Sequence, residues 1–153
     1  MTEDIQTLKC RLAEEVLRSA GELRLRVTGS SMLPAVRPGD VLSVCSRSAT
    51  QAHPGDIILF ARQGRLFAHR VVERTTQQGA PYWITRGDRL GYRDPQVSSR
   101  ELLGRVTSIQ RGHRRIVPRL TFRGRVASWI LRRSEFLTRM MIRFTRPEGA
   151  RLT

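Results

Sequence analysis

Between Leu23 and Gln110 the apolar residues come in short runs of strand length, separated by glycine and proline turns at Pro38-Gly39, Pro54-Gly55, Gln63-Gly64, Gly79-Ala80-Pro81 and Gly87-Asp88. Proline presets a turn dihedral and glycine accepts positive φ, so such pairs stop one element and start the next. The run Leu23 to Val27 alternates apolar residues with Arg24 and Arg26, the period of a half-buried strand. Further β-like runs follow at Val41 to Cys45, Asp56 to Ala61, Leu66 to Arg74, Tyr82 to Thr85 and Leu103 to Gln110, while Asp88 to Val97 has no period and reads as a loop. Regular short strands of this kind predict a mainly β domain with a barrel-like folded sheet.

Helical periods flank this region. Ile5, Leu8, Leu12, Val16 and Ala20 recur at helical spacing ahead of Gly21, which predicts an amphipathic helix over residues 3–20. After Pro118 the period returns, with Phe122, Val126, Trp129, Ile130, Leu137, Met140, Met141 and Phe144 on one side and arginines on the other. The expected organisation is an N-terminal helix (1–21), a β-domain (22–118) and a basic amphipathic helical tail (119–153). A length of 153 residues suits one core.

The formal charge is +15, and every basic residue except Lys9 is arginine. From Arg111 onward twelve arginines face Glu135 and Glu148, so about +10 of the excess sits at the C-terminal end. Two readings of the tail stand side by side. It covers an edge of the β-domain, or it lies on an anionic membrane surface. Cys10 and Cys45 lack metal-ligand spacing and do not make a disulfide framework. They are expected to be reduced, with Cys45 a small core residue on a strand. No metal or cofactor is expected. No run approaches 18 apolar residues, and the acidic, polar N-terminus is unlike a signal peptide. The expected location is cytoplasmic or peripheral at the inner face of a membrane.

Chemistry concentrates in VTGSSMLPAVRPGDVLSV, where a hydroxyl follows a strand between a glycine and a methionine. A serine in such a turn is by itself more often a turn former than a nucleophile. Activating it requires a base. Lys9, the one lysine, lies on the first helix, upstream and apart from the β-runs. Of the histidines, His53 sits in a turn and His113 in the RGHRR stretch, whereas His69 lies inside a strand between Phe67 and Val71 on one face. A neutral imidazole beside a hydroxyl suits general-base work near pH 7. An acceptor for its other nitrogen is offered by Asp88 or Asp94 in ITRGDRLGYRDP. Asp94 is the preferred choice, because Asp88 follows Gly87 in a turn and has local amides to bond.

Three ordered blocks over roughly residues 25–110 resemble the clan of signal peptidases and LexA-type serine peptidases. They are GSSMLPAVRPGD, PGDIILFARQGRLFAHRVV and ITRGDRLGYRDP followed by ELLGRV. His69-Arg70-Val71 is similar to the Ser-His signal peptidase I branch of archaea and the endoplasmic reticulum, where other members of the clan carry a lysine. The resemblance implies the β fold of that clan and a serine endopeptidase, a signal peptidase I-like hydrolase, that cleaves a protein or peptide precursor through an acyl-enzyme. It makes Ser31 the nucleophile, His69 the base, Asp94 the orienting acid and Asp88 a supporting carboxylate. The Ser31 N–H would hold the oxyanion, helped by the Ser30 hydroxyl, since the position two before the nucleophile is Gly29. The transmembrane anchor usual before the serine strand has no counterpart in residues 4–20. The alternative is a non-catalytic or self-cleaving LexA-like regulator that binds nucleic acid. Nucleic acid is not the expected partner, because some 25 residues ahead of the core cannot supply a helix-turn-helix.

Overall fold

A computed structural model describes residues 4–118, so the expected helical tail lies outside the described residues. The first element is α1 (Ile5–Ala20), whose Asp4 side chain accepts from the Gln6 N–H. It stops at Gly21, where a left-handed φ of 77° lets the Gly21 N–H reach the Leu17 carbonyl. The period is as expected, but the buried face is not. Cys10, Ala13 and Leu17 turn inward, whereas Ile5, Leu8, Leu12 and Val16 are exposed. Positions 10, 13 and 17 also recur at helical spacing, and the small Cys10 and Ala13 suit close approach to a sheet. The larger aliphatic stripe is left outside.

The strands are β1 (Glu22–Arg26), β2 (Val41–Cys45), β3 (Ile57–Arg62), β4 (Arg65–Gln77), β5 (Ala80–Arg86), β6 (Val97–Ser98), β7 (Leu102–Arg111) and β8 (Arg114–Ile116). They form one antiparallel sheet in the order β1-β2-β7-β3-β4-β5-β6, with β8 also on β7. The mainly β class with one N-terminal helix therefore stands, and the folded sheet is not closed. No ladder joins β1 to β6, and with only two residues β6 has little edge with which to make one. The sheet bends instead at irregularities between Ser43 and Val44, Leu59 and Phe60, and Val71 and Glu73. The two shortest strands, β6 and β8, carry too few residues to show a period in the sequence.

Two apolar clusters result. One gathers Leu17, Met32, Val36, Leu42, Val44, Ile57, Leu59, Val106 and Ile109, with Leu66, Ala68 and Ile116 packed against it. The other gathers Ile58, Phe60, Val71, Trp83, Val97 and Leu102, with Phe67 against it. Successive residues of β3 enter opposite clusters, which is the two-residue alternation of a strand covered on both faces. The same alternation places Leu66 and Ala68 of β4 in the first cluster and Phe67 and Val71 in the second. Cys45, expected in the core, is only half-buried at the end of β2, and Cys10 is the buried thiol.

Where β7 pairs with the end of β2, packing leaves no room for a side chain at Gly104. A Cβ there would lie 2.4 Å from Val44 Cγ1 and 3.2 Å from the Cys45 carbonyl oxygen. Gly104→Val is expected to push β2 and β7 apart and to lower stability by about 1–3 kcal/mol, the usual cost of overpacking. Urea denaturation of wild type and variant checks this, with a shift in midpoint at constant slope as the expected result.

Candidate active site

Ser31 sits in the connection between β1 and β2. The Val27 N–H donates to the Asp40 carbonyl and the Gly39 N–H to the Val27 carbonyl, each at 2.8 Å, so the connection is closed at its base. Within it, Met32, Leu33 and Val36 are almost fully buried. Burying these three side chains anchors the backbone on either side of Pro34 and leaves Ser31 half-buried at the rim. The apolar residues after the serine are therefore the means by which the turn is held.

A second segment grips this turn from above. The Arg89 N–H donates to the Ser31 carbonyl at 2.9 Å, and the Asp88 N–H points to Met32 Sδ at 3.4 Å. A Cβ on Gly87 would lie 2.7 Å from the Ser31 carbonyl oxygen, so only glycine permits this approach. The segment is itself fastened to β4. Arg70 Nε and Nη2 donate to the two Asp88 carboxylate oxygens at 2.8 and 2.7 Å, with both side chains buried. Asp88 therefore does not touch His69. It is a structural carboxylate, and sequence reasoning did not see its partner Arg70. Ser30 Oγ accepts from Arg89 Nη1 at 3.0 Å.

His69 is 5% exposed on β4. Its ring meets Phe60 and Phe67 edge to face, with centroids 6.1 and 5.9 Å away, and these contacts restrict its rotation. Ser31 Oγ lies 3.1 Å from Nε2, and Asp94 Oδ2 lies 2.6 Å from Nδ1. An ionised carboxylate only accepts, so Nδ1 carries the proton and Nε2 is left to accept from the serine. Proton transfer from Ser31 to Nε2 would generate an imidazolium already paired with Asp94. Among the described residues, no three His, Cys, Asp or Glu side chains gather as a metal site requires.

Asp94 has a partner that the sequence reading missed. Thr85, fully buried on β5, donates its hydroxyl to Asp94 Oδ2 at 2.7 Å, and its carbonyl accepts the Asp94 N–H at 2.8 Å. Arg62 secures the following residues through the Pro95 and Gln96 carbonyls. Burial acts most strongly on the Asp94 carboxyl and pushes its pKa up. Hydrogen bonds from His69 and Thr85, with the charges of His69 and Arg62, together outweigh it, so the net pKa lies below the ordinary value. A depressed carboxylate stabilises the fold above its unfolded pKa, and that stability is lost as pH falls through the folded value. The pairing is thus fully present at neutral pH and fails only in acid. A threonine inside an alternating strand carries no signal of such a role, because the carboxylate it meets lies across a loop.

A model of the family described as Peptidase S24-like matches residues 2–84, a stretch that holds Ser31 and His69 and stops short of Thr85, Asp88 and Asp94. None of the curated proteins matches the chain.

Thr85→Val keeps the shape of the side chain and removes the donor. The Asp94 pKa is expected to rise toward the ordinary carboxylate range, and Thr85→Ser is expected to restore it. A carbon-13 carboxyl titration of the three proteins reads the shift.

Proposed function

The chain belongs to the Peptidase S24-like family, and from that premise we propose that it is a serine endopeptidase that cleaves a protein or peptide precursor by a Ser31-His69-Asp94 mechanism. The family embraces both serine peptidases and self-cleaving regulators of the LexA type. The observation that carries the reading is the 3.1 Å contact between Ser31 Oγ and His69 Nε2, backed by the 2.6 Å contact from Nδ1 to Asp94.

In this mechanism Ser31 Oγ attacks the scissile carbonyl while His69 takes its proton. The tetrahedral oxyanion is stabilised by the Ser31 N–H, with the Ser30 hydroxyl as a second donor. Breakdown passes the proton from His69 to the leaving amine and leaves an acyl-enzyme on Ser31. Water, deprotonated by the same imidazole, then releases the acid and restores the serine. Asp94 holds the ring in the right tautomer throughout. Asp88 takes no proton and acts by keeping the turn in place.

Within the wider clan that the three sequence blocks resemble, the Ser-His signal peptidase I branch is the counterpart proposed for this chain. The support is His69 followed by Arg70-Val71, together with Lys9 on α1, where it is exposed and makes no contact with Ser31 among the described residues. No helix among the described residues is long and apolar enough to cross a membrane.

Ser31→Ala and His69→Ala are expected to lower turnover of a cleaved peptide by about 10⁶-fold, with the melting temperature unchanged in Ser31→Ala and lowered in His69→Ala, where the buried imidazole packs on Phe60 and Phe67 and bonds Asp94. Lys9→Ala should leave turnover as it is. Asp94→Asn is expected to cost about 10⁴-fold, since it presents the wrong tautomer. Asp88→Asn is expected to act on stability, by about 3–5 kcal/mol, because it strands the buried Arg70 charge. Peptide libraries read by mass spectrometry, with calorimetry of each variant, separate these effects. Full activity in Ser31→Ala would overturn the proposal. Cleavage confined to its own chain, at a rate independent of protein concentration, would move the protein to the self-cleaving regulators.

A further inference from the structure

The exposed side of α1 is unusual for a helix whose other face is already packed. Ile5, Leu8, Leu12 and Val16 are 68, 45, 56 and 37% exposed, and they lie on adjacent turns as one continuous stripe. An apolar surface of this extent marks a site that something covers. None of these four residues is needed to seat α1, because Cys10, Ala13 and Leu17 do that.

The C-terminal end of the described chain lies on the same layer. Ile116 packs against the cluster that Leu17 enters. The Pro118 carbonyl accepts from Arg70 Nη1 at 2.8 Å, and Arg70 shares the face of β4 that carries Leu66 and Ala68, also packed on that cluster. Thr7 of α1 closes on Gly64, just before β4 begins. Gly64 and Arg70 are six residues apart, about 20 Å along a strand. Thirty-five residues follow Pro118, and from Phe122 to Phe144 they carry an apolar stripe at helical spacing with arginines opposite. The three residues 119–121 span up to about 10 Å when extended.

We propose that residues 122–144 of the same chain cover the Ile5, Leu8, Leu12, Val16 stripe of α1. Tethering favours this occupant over a free partner, because a segment held at the same layer acts at an effective concentration of about millimolar or above. Charge favours it over an anionic lipid surface. α1 and its Asp4 cap carry Asp4, Glu14 and Glu15 against Lys9, Arg11 and Arg18, and so offer no net positive charge to such a surface. The arginine-rich segment, in contrast, is drawn to those glutamates.

Limited trypsin digestion of the full chain tests the assignment, because the segment beyond Pro118 carries arginines from Arg119 to Arg151. In the wild type, cleavage between Arg123 and Arg143 is expected to be slow. In Leu8→Glu/Leu12→Glu it is expected to be about tenfold faster or more, since proteolysis follows the population of the open form. Circular dichroism confirms that the variant is folded. Should it not fold, Trp129→Asp probes the same contact from the other side and is expected to give the same acceleration. Equal cleavage rates in wild type and variants would overturn the proposal. So would a wild-type dimer that Leu8→Glu/Leu12→Glu converts to a monomer without changing cleavage, which would assign the stripe to a second copy. Protection that arises only with anionic vesicles would assign it to lipid.

Discussion

The buried pair Arg70–Asp88 holds the two halves of the site together. Each side chain is about 5% exposed, and the guanidinium donates to both carboxylate oxygens. Arg70 follows His69 on β4, and Asp88 is flanked by Gly87 and Arg89, whose backbones meet the Ser31 carbonyl. The position of Ser31 against His69 is thus set by a contact one residue from His69 that reaches the Ser31 carbonyl through the neighbours of Asp88. Taking two charges out of water costs several kcal/mol per ion, and only saturated hydrogen bonding offsets it. Arg70 meets that condition with further bonds to the Gly55 and Pro118 carbonyls.

The same device recurs at each Gly-Asp turn. Asp40 accepts from the Arg37 N–H and pairs with Arg111 at 2.7 Å; Asp56 accepts from the His53 N–H and lies 3.6 Å from Arg105. Each aspartate closes its own turn with one interaction and ties it to a distant strand with another. Part of the arginine excess thereby has a structural role. Arg62, Arg70, Arg105 and Arg111 are internal ties, and Arg62 also stacks over Phe60 beneath the site. Lysine would not replace Arg70 or Arg111 equally, because two parallel N–H bonds to one carboxylate require the planar fork of a guanidinium.

Around this frame the site is assembled from elements far apart in sequence. Burial of Met32, Leu33 and Val36 fixes the serine turn, the strand alternation of β4 aims His69 toward the second cluster, and Thr85 on β5 holds Asp94 by backbone and side chain. Phe60 and Phe67 flank the imidazole and reduce its contact with water. Low exposure strengthens the hydrogen bond to Asp94, and the same low exposure would make that carboxylate costly without its donors.

Local chemistry determined what could be read without coordinates. Turn pairs and two-residue alternation located six of the eight strands to within a few residues, and the helical period located α1, because both depend on neighbours in sequence. Ser31, His69 and Asp94 were legible as candidates, since residue type and order alone exclude Lys9 and leave one histidine inside a strand. Other features depended on contacts between distant segments. The inward face of α1 was decided by which stripe fits against the sheet, and both stripes have the helical period. The open edge was decided by strand pairing, to which strands of any length contribute without announcing it. Asp88 and Asp94 were separated only when Arg70 and Thr85 came beside them, since a carboxylate takes its role from the donor it meets and that donor lies on another strand.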